Sequence, residues 1–259
     1  MSIAPASSGS GRSPLRILSF NIQLGLNTAR YADYLTQGWR HVLPARSVPV
    51  GLTLAAHAIR GYDFVAIQEA DAGSLRSARV DQIAYLAKHA GYPHHGHTIT
   101  RNLAPIARHS LGFVSRWPAQ VLSDQPLPGR IPGRRVLQVR IEPPQGPLSI
   151  FVVHLSLDRS TQARQIEYIA SLTDRDVPSI LMGDFNCDAG VLRDHPALKR
   201  AGFVIRHPDR PTFPSWAPTR AIDHIVTSPH LMVDDLRTLP QLHSDHLPLE
   251  AQVSARDLA

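Results

Sequence analysis

Apolar residues along this chain form short runs, which are separated by turns rich in proline, glycine and polar residues. Continuous apolar runs of roughly four to eight residues predict buried strands, and apolar residues three or four positions apart predict helices. The predicted strands are Leu15–Ile22, Tyr62–Gln68, Leu111–Ser115, Val136–Ile141, Leu148–Leu155, Val177–Gly183, Ala221–Thr227 and Leu247–Val253. The predicted helices are Gly51–Arg60, Ala78–Ala90, Thr161–Leu172 and Val191–Ala201, and Ser160 is the predicted N-cap of the third. Strands that are apolar on both faces indicate sheets covered by helices.

Polar side chains stand at the ends of most of these apolar runs. They are Asn21 after LRILSF, Gln68 and Glu69 after FVAI, His154 after SIFVV, Asp184 and Asn186 after SILMG, Asp223 and His224 between AI and IV, and Asp245 and His246 before LPLEAQV. A strand end holds its last side chain rigidly. So many such ends in one chain indicate a shared cleft.

Metal-assisted hydrolysis of a phosphate ester requires this mixture of acids, amides and histidines. A hard cation such as Mg²⁺ takes oxygen ligands, and Glu69 and Asp245 suit that role, with Asn21 as an amide ligand or water holder. Asp184 is the candidate base for a nucleophilic water. The candidate donors to a phosphate that gains charge are Asn186, His154 and His246. A carboxylate such as Asp223 holds a histidine in its protonated form.

The same motifs resemble those of the endonuclease/exonuclease/phosphatase superfamily, which has the DNase I-like fold. The matching segments occur in the family's order and are SFNIQ (19–23), AIQEA (66–70), LGFVSRWP (111–118), VVHLSL (152–157), GDFN (183–186), IDHI (222–225) and SDHLP (244–248). The resemblance covers the chain from Leu15 to about Val253. It implies an α+β fold, a four-layer αββα sandwich of two mixed, mostly antiparallel sheets flanked by helices.

The resemblance also implies a role for each matching residue. Glu69 is expected to be the principal ligand of Mg²⁺ or Mn²⁺, with Asn21 and Asp245 beside it. Asp184 is expected to activate water and Asn186 to orient the phosphate. His154 and His246 are expected to contact the phosphate, and Asp223 to pair with His246.

The net charge of the chain and the histidine in VVHLSL reduce the number of substrate classes to consider. The formal net charge is +6, which favours a polyanionic partner. The histidine in VVHLSL is unlike the abasic-site repair enzymes of the family, so we rank a nuclease or DNA/RNA-end phosphodiesterase first. The alternatives are a phospholipid or sphingomyelin-type phosphodiesterase, and an inositol-phosphate or small-phosphoester phosphatase. A non-catalytic polyanion-binding module of the same fold is a further alternative, although the intact set of acids and histidines argues against it.

Three local clusters carry weaker hypotheses. His94, His95 and His97 suggest a zinc hydrolase, but they have no cysteine or acid partner in sequence and more often mark a loop or strand edge. The basic loop Gly129–Arg135 includes Arg130, Arg134 and Arg135, of which Arg135 is the candidate substrate contact. Trp216, beside Phe213, is a candidate for stacking on a base, whereas Phe213 is expected to support the cleft.

Composition sets the remaining expectations. An apolar share of 43% is ample for one core, and we expect one catalytic domain over residues 15–259 after a flexible polar tail at 1–14. The single cysteine, Cys187, excludes an internal disulfide and is expected to be buried. With no apolar leader or membrane-length run, a cytoplasmic monomer is expected.

Overall fold

The first sheet has six strands in the order β10-β11-β1-β2-β4-β3. A computed structural model describes residues 13–25, 50–205 and 208–256 of the protein. The strands of this sheet are β1 (Leu15–Asn21), β2 (Phe64–Asp71), β3 (His94–Leu103), β4 (Ala107–Ser115), β10 (Leu231–Thr238) and β11 (Leu249–Ala255). Only the β1–β2 pair is parallel.

The second sheet has five strands in the order β5-β6-β7-β8-β9. They are β5 (Ala119–Pro126), β6 (Arg135–Ile141), β7 (Leu148–His154), β8 (Ser179–Asp184) and β9 (Asp223–Thr227). Here the β7–β8 pair is parallel and the other pairs are antiparallel. The two sheets pack face to face over one apolar cluster, which includes Ile17, Phe64, Val139, Ile150 and Ile180.

Helices cover the outer face of each sheet. The helices are α1 (Val50–Ala58), α2 (Gln82–Ala90), α3 (Arg159–Ser171), α4 (Ala189–Asp194) and α5 (Pro196–Arg200). The first two pack on the six-stranded sheet, and the other three pack on the five-stranded sheet. The layers therefore run α, β, β, α, which confirms the predicted mixed αββα sandwich. In the described residues, no helix is both long enough and apolar enough to cross a bilayer.

The two parallel pairs explain where the polar strand ends meet. In each pair the two strands run in the same direction, so their last residues lie side by side. Asn21, at the end of β1, is in register with Gln68, and this is the last pair of the β1–β2 ladder. His154 is in register with Asp184 at the end of β7 and β8. Because the two sheets are stacked, these two ends form the walls of one cleft.

Several boundaries differ from the predicted elements for local physical reasons. Asp158, not Ser160, caps α3, since its carboxylate accepts a hydrogen bond from the Thr161 backbone N–H. The predicted helix Val191–Ala201 is two short helices, because Pro196 disfavours helical backbone at His195. The helix predicted from Ala78 begins at Gln82, where the Asp81 carboxylate caps it.

The apolar pattern of the sequence does not predict strands β3, β5 and β10, because they are edge strands. Their residues are largely exposed or half-buried, so they lack the continuous apolar runs of central strands. The predicted tail falls mostly on residues 1–12, which lie outside the described residues. The division into this tail and one domain over 15–259 stays a prediction.

Candidate active site

Asp184 is the centre of the cleft between the two sheets. Its side chain is 2% exposed at the end of β8. The Oδ2 atom accepts a hydrogen bond from Asn21 Nδ2 at 3.2 Å. It lies 3.3 Å from His154 Nε2 and 3.9 Å from His246 Nε2. Groups from three distant parts of the chain therefore converge on one carboxylate oxygen.

A glycine makes this convergence possible. Gly183 precedes Asp184 with φ of +143°, and a Cβ added there would lie 2.0 Å from the Val153 carbonyl oxygen. Only glycine lets β8 approach β7 this closely at the point where His154 and Asp184 emerge. The first residue of the GDFN motif thus has a geometric role that the sequence pattern alone does not show.

Glu69 lies opposite Asp184, on the wall formed by the first sheet. The β2–β4 register shifts between Ile67 and Ala70, and Glu69 has a φ of +54° within this bulge. The bulge turns its side chain, which is 36% exposed, into the cleft, whereas Gln68 and Ala70 are fully buried. Glu69 Oε1 accepts from Asn21 Nδ2 at 3.1 Å and lies 3.8 Å from His154 Nε2.

Asn21 connects the two acids. Its Oδ1 accepts the backbone N–H of Gln23 at 3.1 Å, which orients its amide nitrogen towards Glu69 and Asp184. Asn21 is therefore placed to hold both carboxylates, and one lone pair of Oδ1 stays open towards a cation. Whether Asn21 is also an amide ligand or holds a water, as the sequence suggested, stays a prediction.

His246 is held by a carboxylate and an aromatic ring. Its Nδ1 lies 2.8 Å from Asp223 Oδ2, as the motif resemblance implied. The Thr212 hydroxyl donates to the same oxygen at 2.6 Å. The ring of Phe213 packs on the imidazole with 5.1 Å between ring centroids. Asp223 and the 212–213 segment therefore fix the imidazole so that Nε2 faces Asp184.

The two histidines carry opposite charge preferences. Burial disfavours the imidazolium of His246, but the carboxylates of Asp223 and Asp184 outweigh it and raise the pKa of His246 to about 10. Burial, together with the positive charges of Arg134 and His246, lowers the pKa of His154 well below its ordinary value. At neutral pH the cleft thus contains one charged donor and one neutral imidazole.

The acids lie close to one another in a largely buried site. Burial raises the pKa of Asp184 to about 7, and the charges of Asp223 and Glu69 add to this effect while His246 opposes it. Burial also raises the pKa of Asp245 to about 6, with the Glu69 charge adding to it. Several carboxylates that repel one another in one cleft favour the binding of a cation.

The donor set fits a hard divalent cation. Buried Asp245 Oδ1 and Asp223 Oδ1 have no hydrogen-bond partner within the described part of the chain. Among the residues that the structure describes, two groups have ligand atoms close enough together to hold an ion. They are Glu69, His154 and Asp184, and Asp184, Asp223 and His246. Asp245 belongs to neither group, although it lies close enough to Glu69 for the two charges to interact. Oxygen donors predominate, as Mg²⁺ or Mn²⁺ requires.

A family model now decides what this arrangement belongs to. The model described as the endonuclease/exonuclease/phosphatase family matches residues 18–246, which include every acid and histidine of the cleft. The chain belongs to the endonuclease/exonuclease/phosphatase family. Members of this family are generally metal-dependent hydrolases of phosphoesters.

Solved structures share the fold at low sequence identity. An endonuclease/exonuclease/phosphatase from Beutenbergia cavernae is 21% identical, with a TM-score of 0.72 over 94% of this chain and 72% of that chain. A Staphylococcus aureus beta toxin with bound magnesium ions is 16% identical, with a TM-score of 0.63 over 93% of this chain and 99% of that chain. Sphingomyelinase C from Streptomyces griseocarneus is 15% identical, with a TM-score of 0.62 over the same shares. Among curated protein sequences, no significant match was found.

Two neighbouring arginines of the basic loop have different surroundings. Arg135 Nε binds Asp124 Oδ1 at 2.7 Å, so its side chain is held at the β5–β6 edge. Arg134 instead lies near Asp184 and Glu69: burial lowers its pKa, and those two charges oppose the effect. Its guanidinium makes no ion pair within 4.0 Å in the described residues. Arg134 is therefore a second candidate for contact with an anionic substrate, and the contact expected of Arg135 stays a prediction.

The other predicted residues divide between the site and its surroundings. Asn186, at φ of +54°, donates its side-chain amide to the Leu155 carbonyl at 3.0 Å, and its phosphate contact stays a prediction. Trp216 is half-buried. The backbone N–H of its neighbour Ser215 donates a hydrogen bond to the Asp245 carbonyl. Stacking of Trp216 on a base also stays a prediction. Cys187 is buried, as expected.

The histidine cluster lies on β3, an edge strand. His97 Nδ1 lies 3.5 Å from Asp81 Oδ2, and none of the three histidines belongs to a possible metal-binding group among the residues that the structure describes. This arrangement gives the zinc-hydrolase alternative no support.

Proposed function

We propose that the protein is a Mg²⁺- or Mn²⁺-dependent phosphodiesterase, most readily a nuclease or a DNA/RNA-end phosphodiesterase, that uses Asp184 as its general base. The observation that supports the proposal is the position of Asp184, buried against Asn21, His154 and His246 with Glu69 opposite. A pKa of about 7 suits a base that works near neutral pH.

Each side chain contributes a distinct part of the reaction. Asp184 accepts the proton of the attacking water. His246, held protonated by Asp223, donates to a phosphoryl oxygen as negative charge develops. His154 and Asn186 add neutral donors, and Arg134 contributes a guanidinium fork that matches phosphate geometry. Glu69 and Asp245 would hold the cation, whose positive charge would supply polarisation of a phosphoryl oxygen.

Nucleic acid is the substrate class that charge favours. The net charge is +6, and Arg134 adds a positive group inside the cleft. The structural likeness to sphingomyelinase C supports a lipid phosphodiester as the second candidate. We further propose that the protein is a cytoplasmic monomer.

A substrate panel separates these candidates. We expect single-stranded and duplex oligonucleotides to be cleaved with Mg²⁺ or Mn²⁺, with kcat/KM at least about tenfold above that for sphingomyelin vesicles. A tenfold ratio corresponds to about 1.4 kcal/mol of transition-state preference. EDTA should abolish the activity, and added Mg²⁺ should restore it. Preference for sphingomyelin would move the assignment to the second candidate. If no phosphoester is hydrolysed with either metal, the protein is not the proposed enzyme.

A further inference from the structure

A buried ion pair lies directly behind Glu69. Asp71, two residues further along β2, binds Arg76 Nε through Oδ2 at 2.6 Å, and the two side chains are 0% and 3% exposed. The Asp71 carboxylate also accepts hydrogen bonds from Ser74 and Ser77 and from the Arg108 backbone N–H. These hydrogen bonds fix the Asp71 carboxylate, and the ion pair with that carboxylate orients the Arg76 guanidinium.

Arg76 determines the protonation pattern of a histidine. Its NH1 lies 3.1 Å from Nε2 of His109, which is in register with Asp71 on β4. A guanidinium only donates, so His109 Nε2 must accept and the ring proton must be on Nδ1. Burial and the Arg76 charge lower the pKa of His109 to about 4, which agrees with a neutral ring.

The Nδ1 atom of His109 is accessible in a half-buried side chain. Nδ1 has no hydrogen-bond partner in the described residues, and it is not among the buried polar atoms that lack one. The ring is near enough to Glu69 and His154 for their charges to interact with it. A fixed N–H donor without a protein partner in the described residues therefore lies on the strand paired with β2, opposite Asp71 and two positions beyond the proposed metal ligand Glu69.

We propose that His109 is a substrate-binding residue, whose Nδ1–H donates a hydrogen bond to a phosphoester oxygen on the Glu69 side of the cleft. The inference rests on the proposed phosphodiesterase function and adds a specificity-determining group to its site. A neutral donor at this point binds an oxygen without adding positive charge beside the cation. Asp71 and Arg76 are positioning residues in this arrangement, since they act only through the imidazole.

Two variants separate binding from structure. His109→Gln places an amide oxygen near the Nε2 position, so it keeps an acceptor for Arg76 but loses the Nδ1 donor. His109→Asn does the reverse, because its amide nitrogen falls near Nδ1 and cannot reach Arg76. With bis-p-nitrophenyl phosphate and Mg²⁺, we expect His109→Gln to raise KM about tenfold and to change kcat less than twofold, with an unchanged Tm. We expect His109→Asn to keep KM within about threefold while its Tm falls.

The control is His95→Gln on β3, whose side chain is exposed, and it should change neither KM nor Tm. If His109→Gln keeps the wild-type KM and His109→Asn raises it, His109 serves only to pair with Arg76 and the inference is wrong.

¹⁵N NMR of the wild-type protein with Mg²⁺ gives a readout that does not depend on turnover. The Nδ1–H signal of His109 should shift when inorganic phosphate is added, and a signal on Nε2, or no shift, contradicts the inference. A protein that shows the shift but hydrolyses no diester would disprove the proposed function alone.

Discussion

Asp184→Asn is expected to lower kcat for phosphodiester hydrolysis by about 10²- to 10⁴-fold, the range that a general base contributes. The amide keeps the size of the carboxylate, so the contacts with Asn21 and His154 change little in shape. It cannot accept the proton of water at neutral pH. Steady-state kinetics on the best substrate of the panel measure the loss, and Asp176→Asn, at an exposed position, is the matched control.

The same variant should stabilise the metal-free protein at high pH. The pKa of Asp184 is raised to about 7 by burial and by the Asp223 and Glu69 charges, so the folded state binds a proton that the unfolded state releases from about pH 4 upward. Wild-type stability therefore falls between about pH 4 and pH 7, and the asparagine variant avoids the loss. In EDTA we expect the variant to have the higher Tm at pH 8 and a shrinking advantage towards pH 5. An equal Tm at pH 8, or retained turnover, would remove Asp184 from its assigned position.

Glu69→Gln is expected to abolish the response of the protein to Mg²⁺. Glu69 is the exposed acid of the cleft, and Asn21 already orients it. A ligand at about one hundred times its Kd stabilises a protein by about 2.7 kcal/mol, which raises the Tm of a chain of this size by roughly 5–10 °C. We expect this shift in wild type and less than about 2 °C in the variant, with kcat/KM lowered at least about 100-fold.

Glu142→Gln, a carboxylate that is 62% exposed on the far side of β6, serves as the control and should retain the full shift. If Mg²⁺ raises the Tm of Glu69→Gln as much as that of wild type, the cation binds elsewhere. Differential scanning fluorimetry with and without Mg²⁺ is sufficient for this comparison.

The sequence predicts much of the site because the strand ends carry it. Asn21, His154 and Asp184 each follow a predominantly apolar run, and parallel pairing then places those ends together. Motif order identifies the remaining acids and His246. The long-range contacts that join them, such as Asn21 to Asp184 across 163 residues, follow from the stacking of two sheets.

Other features depend on contacts that no local pattern shows. Arg134 and Arg135 are equivalent in sequence, and the pairing of Arg135 with Asp124 on the neighbouring strand is a contact that the sequence does not show. His109 gains its function from Arg76, which lies 33 residues away. The edge strands β3, β5 and β10 are too polar to show a strand pattern. Two of them are nevertheless part of these contacts, because β5 carries Asp124 and β3 lies next to β4, which carries His109.

Locating a bound metal ion is the most direct test of the proposed active site. Crystals soaked in MnCl₂ and inorganic phosphate, measured for anomalous scattering, locate Mn²⁺ without any assumption about turnover. We predict a peak about 2 Å from a Glu69 carboxylate oxygen, within the cleft that also contains Asp184 and His246, with the phosphate bound next to it. A peak at another surface of the protein, with this cleft empty at saturating Mn²⁺, would show that the cation does not bind at Glu69 and that this cleft is not the proposed active site.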